Sequence, residues 1–198
     1  MSETPTTMNH NPLNRLSGLR AYLAGPIDHA EDDGVTWRNK LGRWLQKRGI
    51  IVIDPCRKPL TYHAFKEIGE EKQRMLDLKK EGRYLELSEW MRGIVHVDLR
   101  MVDVSDIVIV YLDIKSRPFG TVHELINAIN QRKPTLVVVD GGKSEAPNWL
   151  FGIMRHEFIF SDFDELQAFL TLIDTGTIQP DYTRWVFLDD LDSSDGVD

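Results

Sequence analysis

Between Asp106 and Val139 the chain passes through an apolar stretch, a loop, a helix-like segment and a second apolar stretch, and few folds accommodate that order. Ile107 to Tyr111 form an unbroken apolar run, mostly β-branched, as expected of a strand buried on both faces. Gly120-Thr121 then opens a helix with Glu124 in its first turn, and Lys133-Pro134 leads into a second apolar strand, Leu136 to Val139. The pattern predicts a β-loop-α-β unit of a parallel sheet, in which ligands sit beyond the carboxyl ends of the strands. A carboxylate at such a helix start faces the crevice, and the helix dipole favours its ionised form. That suits a nucleophile better than a proton donor. The same residues, Thr121-Val122-His123-Glu124, also read as a capping box in which Glu124 only reaches back to a backbone N–H.

The flanking sequence extends the pattern. Leu19 to Ala24 is a first strand ending in Gly25-Pro26, followed by an amphipathic helix from Val35 to Lys47, stopped by Gly49. Ile50 to Ile53 is a second strand, closed by Asp54-Pro55. Residues 62–103 are charge-rich and read as two helices broken near Gly82. Beyond Val139 come a loop from Gly141 to Pro147, a short segment Asn148 to Met154, a last strand Phe158-Ile159-Phe160, and a helix from Asp162 to Ile173 capped by Ser161. This alternation predicts a single doubly wound, Rossmann-like α/β domain of about five parallel strands over residues 18–175. Residues 1–17 read as a disordered tail, and 176–198 as an acidic, solvated one.

Composition narrows the function classes. Net charge is −7 with no large Lys/Arg cluster, which argues against a nucleic-acid polymer as partner. The single cysteine, Cys56, excludes an internal disulfide and fits a reducing cytoplasm. With no His base near it in sequence it reads as structural. No apolar segment is long enough for a membrane span, and the start of the chain lacks a secretory h-region. His29, His63, His96, His123 and His156 show no metal-ligand spacing, and the first strand-helix turn carries no GxGxxG, so neither a metal nor a dinucleotide cofactor is expected.

Other residues fall near the predicted crevice. Tyr22 on the first strand has a phenol able to hydrogen-bond a carboxylate, and Gly25-Pro26 allows close backbone approach. Asp98 lies late in the helix before the third strand, while Asp106 reads as a helix-to-strand junction. Asn148, after Pro147, reads as a helix cap. Taken one at a time, each has an ordinary structural explanation.

Taken together, "Tyr22-Leu-Ala-Gly-Pro-Ile27", "Asp98-Leu-x6-Asp106-Ile-Val-Ile-Val", "Gly120-Thr-x-x-Glu124…Ala128…Lys133-Pro134" and "Pro147-Asn148-x-Leu150" resemble, in that order, the nucleoside 2-deoxyribosyltransferases and related nucleotide N-glycosidases. The resemblance covers roughly residues 19–155. It implies a flavodoxin-like sheet, a homo-oligomer with shared active sites, and a nucleoside or nucleotide substrate with an acceptor base. It further implies that Glu124 is the nucleophile at C1′, Tyr22 orients it, Asp98 exchanges a proton with the base, and Asn148 is lent by the neighbouring subunit. Such a division needs one low-pKa and one higher-pKa carboxylate, and burial beside Leu99, Met101 and Val102 is expected to raise Asp98. Gly25, Pro26, Gly120, Thr121 and Leu150 complete the expected substrate contacts. Where many transferases carry a sugar-binding Asp, this chain has Pro118-Phe119, with Asp113 as the nearest acid. Ser116, between Lys115 and Arg117, suits a 5′-phosphate, whereas the acidic loop from Asp28 to Asp33 opposes one. A nucleoside transferase is therefore the leading expectation. A 5′-monophosphate N-glycosidase is second, and a non-catalytic nucleotide sensor is an alternative of another class.

Overall fold

The computed structural model describes residues 14–27, 30, 32–58 and 68–179. The first residues of the expected N-terminal tail, nearly all of the acidic tail, Asp28, His29, Glu31 and residues 62–67 lie outside them. Five strands form one sheet: β1 (Arg20–Ala24), β2 (Ile51–Ile53), β3 (Ile107–Leu112), β4 (Thr135–Val139) and β5 (Ile159–Phe160). Their order is β2-β1-β3-β4-β5 and every pairing is parallel, which makes the fold doubly wound α/β with its topological switch between β1 and β3.

Among the described residues six α-helices accompany the strands: α1 (Val35–Gln46), α2 (Glu70–Lys80), α3 (Tyr84–Val104), α4 (Phe119–Asn130), α5 (Asn148–Ile153) and α6 (Phe163–Asp174). The period-2 alternation of the strands sorts the core into two layers. Ala21, Leu23, Ile107, Ile109, Leu136 and Val138 pack with Leu41 and Leu45 of α1 and Leu166 and Leu170 of α6. On the other face Tyr22, Ala24, Val108 and Val110 pack with Val97, Met101 and Val102 of α3 and Leu125 and Ala128 of α4. Tyr22 thus belongs to the α3–α4 side because it sits one residue before Leu23. Asp106 lies at the α3–β3 junction as expected, and the Arg20 guanidinium ties that junction to β1, donating to both Asp106 oxygens at 2.8 and 3.0 Å.

Three local expectations are corrected. Helix α4 begins at Phe119, not at Gly120-Thr121, and has no side-chain cap. Arg117 turns the chain in a left-handed conformation (φ 52°), and the Pro118 carbonyl accepts the first helical bond, from the Val122 N–H at 2.8 Å. The capping-box reading therefore falls, and Glu124 sits in the second turn, where the terminal dipole is weaker. Asn148 is the first residue of α5 and makes no side-chain cap bond. Helix α6 is capped by Asp162 rather than Ser161, its carboxylate accepting from the Glu165 N–H at 2.8 Å. An ionised carboxylate is the better acceptor there.

Candidate active site

A cleft of about 260 Å³ opens at the carboxyl ends of β1 and β3, the crevice that the strand order designates for ligands. Its floor and walls come from Gly25 and Pro26 after β1, Asp98 of α3, Ser116 and Arg117 after β3, and Gly120, Thr121 and Glu124 of α4. Apolar side chains of α3, among them Met91 and Ile94, form one wall. Apolar walls with a few convergent polar groups are what a small-molecule pocket requires.

At the base of the cleft the Tyr22 hydroxyl donates to Glu124 Oε1 at 2.6 Å. Tyr22 is fully buried, and its pKa is pushed well above 10 by that burial first and then by the charges of Glu124 and Asp98. It is thus a neutral, permanent donor that fixes the orientation of the Glu124 carboxylate, a short O–H···O⁻ bond being among the stronger kinds. Asp98 is buried (6 % exposed), and its Oδ1 lies 2.7 Å from the equally buried Lys58 ammonium. From the sequence, Asp98 has apolar neighbours on its helix and Arg92 or Arg100 as possible partners; the structure supplies Lys58 as its cation.

Of the expected contacts, Gly25, Pro26, Ser116, Gly120 and Thr121 all line the cleft, together with the three proposed catalytic residues except Tyr22, which lies beneath Glu124. Gly25 is explained by packing: a Cβ there would come within 2.6 Å of the Trp37 ring. Asp113 does not reach the cleft; its carboxylate accepts from the Lys115 N–H at 2.9 Å and so caps the turn Ile114–Ser116. Leu150 is buried in the α3–α4 core layer, and Asn148 is exposed away from the cleft of its own chain. The acidic loop after β1 is partly accounted for as well. Asp32 accepts from the Gly34 and Thr36 N–H groups at the start of α1, and Asp33 pairs with Lys72.

A profile of the nucleoside 2-deoxyribosyltransferase family matches residues 21–163, a span that contains Tyr22, Asp98, Glu124 and Asn148. The chain belongs to that family. No curated protein matches the chain significantly.

Two structural members of this nucleoside 2-deoxyribosyltransferase-like site were not anticipated. Arg38 is almost wholly buried, and its guanidinium donates to the carbonyls of Gly25 at 2.7 Å, Gly34 at 3.0 Å and Leu23 at 3.2 Å, with Asp54 alongside at 3.7 Å. It clamps the loop after β1 from below. Its spacing to Leu41 and Leu45 puts a charge on the apolar stripe of α1, a signal that sequence alone carries. Lys58 is the other. It follows the turn Pro55–Arg57 and approaches Asp98 only through the fold, so no local pattern marks it.

Proposed function

We propose that this chain is an N-deoxyribosyltransferase acting on nucleosides through a covalent glycosyl-Glu124 intermediate. The observation that carries the reading is the Tyr22–Glu124 hydrogen bond at 2.6 Å, set in the base of a cleft that Asp98 also lines. The Glu124 carboxylate attacks C1′ of the sugar. The C1′–N bond breaks, its electron pair stays on the departing base, and Asp98 supplies the proton that makes this base a tolerable leaving group. A second base then attacks C1′, returns a proton to Asp98 and releases Glu124. Cleavage builds positive charge at C1′, which a carboxylate oriented by a neutral phenol is well placed to stabilise. No step requires a metal or cofactor. Membership of the family, with both carboxylates and the tyrosine at its motif positions, supports this reading over a sensor, which needs neither carboxylate in a proton-exchanging place.

Ser116 and Arg117 at the cleft favour a second reading, hydrolysis of nucleoside 5′-monophosphates, because a guanidinium and a hydroxyl are suited to a phosphate. Incubation with deoxynucleosides and deoxynucleotides, with and without an acceptor base, separates the cases. Base exchange supports the transferase, free base without exchange supports the hydrolase, and binding without turnover refutes both.

We also propose that the working unit is a homo-oligomer in which Asn148 completes a neighbour's site. Its exposure outside its own cleft, beside an exposed Trp149, supports this.

A further inference from the structure

Lys58 stands behind the cleft wall, not in it. Pro55, on the same turn, lines the cavity, while the Lys58 side chain has no exposed surface and its ammonium lies 2.7 Å from Asp98 Oδ1. Removing both charges from water is expensive, and well-packed apolar residues in their place are often neutral or stabilising, so stability is a weak reason for such a pair. Its electrostatic effect on Asp98 is direct: an adjacent ammonium in a poorly solvated site favours the carboxylate.

We propose that Lys58 is a positioning residue that offsets the burial of Asp98 and thereby sets the pH range over which Asp98 carries the proton it gives to the leaving base. This rests on the proton-exchanging role proposed for Asp98. In the first half-reaction the Asp98 O–H bond breaks as the base nitrogen gains the proton and the C1′–N bond opens. In the second, the incoming base returns its proton to the Asp98 carboxylate as it bonds to C1′ and the bond to Glu124 breaks. Lys58 takes no part in either proton transfer; it changes how readily Asp98 carries a proton.

The other groups around Asp98 act differently. Glu124 on α4 bears a like charge and opposes Lys58, as the influence of both carboxylates on Tyr22 indicates. Tyr22 stays neutral, and the Arg38 cation on α1 acts on Tyr22 in the opposite sense to the carboxylates. His123 of α4 and Arg117 after β3 also line the cleft. Of these, the His123 imidazole is the other group able to pass a proton to a bound base, so it needs a control.

The test is the pH profile of kcat/KM for deoxynucleosides with a poor and with an activated leaving base. For the poor leaving base, the alkaline limb of Lys58→Met is expected to move upward by roughly 1–3 pH units, because a buried carboxyl that has lost an adjacent cation retains its proton more readily. Lys58→Arg and His123→Gln are expected to keep the wild-type limb, and the activated base to show no shift in any variant. A Lys58→Met profile that is uniformly lower but unshifted would reduce Lys58 to a structural role and overturn the proposal.

A second measurement needs no turnover. The Asp98 carboxyl is titrated by 13C NMR, its signal assigned with Asp98→Asn, in the wild type and in Lys58→Met. The titration is expected to move to higher pH in Lys58→Met by roughly 1–3 pH units. An unshifted titration overturns the proposal. Absence of any nucleoside turnover would instead sink the functional reading, while this titration still decides the state of the pair.

Discussion

At the scale of single residues, two carboxylates share one cleft but have different neighbours, and that difference fits the two roles proposed for them. Glu124 accepts from a phenol that cannot ionise in the working pH range, so its carboxylate is held oriented. Glu124→Gln should therefore fold, since the amide oxygen still accepts from Tyr22, yet lose several orders of magnitude in turnover because a neutral amide neither attacks nor stabilises C1′. Near-wild-type activity in that variant would exclude a glycosyl-Glu124 intermediate. Asp98 sits against a cation instead. Asp98→Asn should slow poor leaving bases far more than activated ones, because only the former need a proton to depart. Equal loss across a series of leaving bases, measured as kcat/KM, would assign Asp98 to positioning alone.

At the scale of elements, the site depends on how the loop after β1 is held. The Arg38 guanidinium satisfies four carbonyls of the segment from Leu23 to Gly34, and the missing side chain of Gly25 lets Trp37 close over it. Arg38→Met leaves those carbonyls and Asp54 without their shared cation, and is expected to cost roughly 2–5 kcal/mol by urea unfolding. KM should rise as well, because Gly25 and Pro26 line the cleft. A variant with unchanged stability and KM would show that the loop holds itself. The strands and their order of connection were legible in the sequence because doubly buried strands write themselves as runs such as Ile107 to Val110. The carboxylate of α4 and its phenol were legible through the motif resemblance. The start of α4 was not, since the left-handed Arg117 and Pro118 open the helix earlier than the Thr-x-x-Glu signal suggests. Nor was Lys58, because a pair that meets only after the chain has crossed the sheet leaves no local periodicity to read.

At the scale of the whole molecule, Asn148 sits where its own cleft cannot use it. Helix α5 sends Leu150 into the core but leaves Trp149 78 % and Phe151 44 % exposed, and Phe119, at the cleft, is 88 % exposed. Large exposed aromatic side chains are costly for a monomer and ordinary at an interface. If a two-fold partner brings its Asn148 to the cleft, each site combines Glu124 from one chain with Asn148 from the other. Two variants, Glu124→Gln and Asn148→Ala, would each be inactive or nearly so alone. Mixed in equal amounts and allowed to exchange, half of the dimers become heterodimers, and one site in each inherits both native residues. Activity should then recover to about a quarter of wild type, as random pairing in a two-fold dimer requires. Asn148 makes no side-chain cap bond, so Asn148→Ala should spare the loss of about 1 kcal/mol that follows removal of a true helix cap. Thermal unfolding of the variant checks that separately. If mixing restores nothing although subunits exchange, or if the wild type turns over substrate while sedimenting as a monomer, Asn148 belongs to no shared site. The aromatic residues of α5 would then need another occupant.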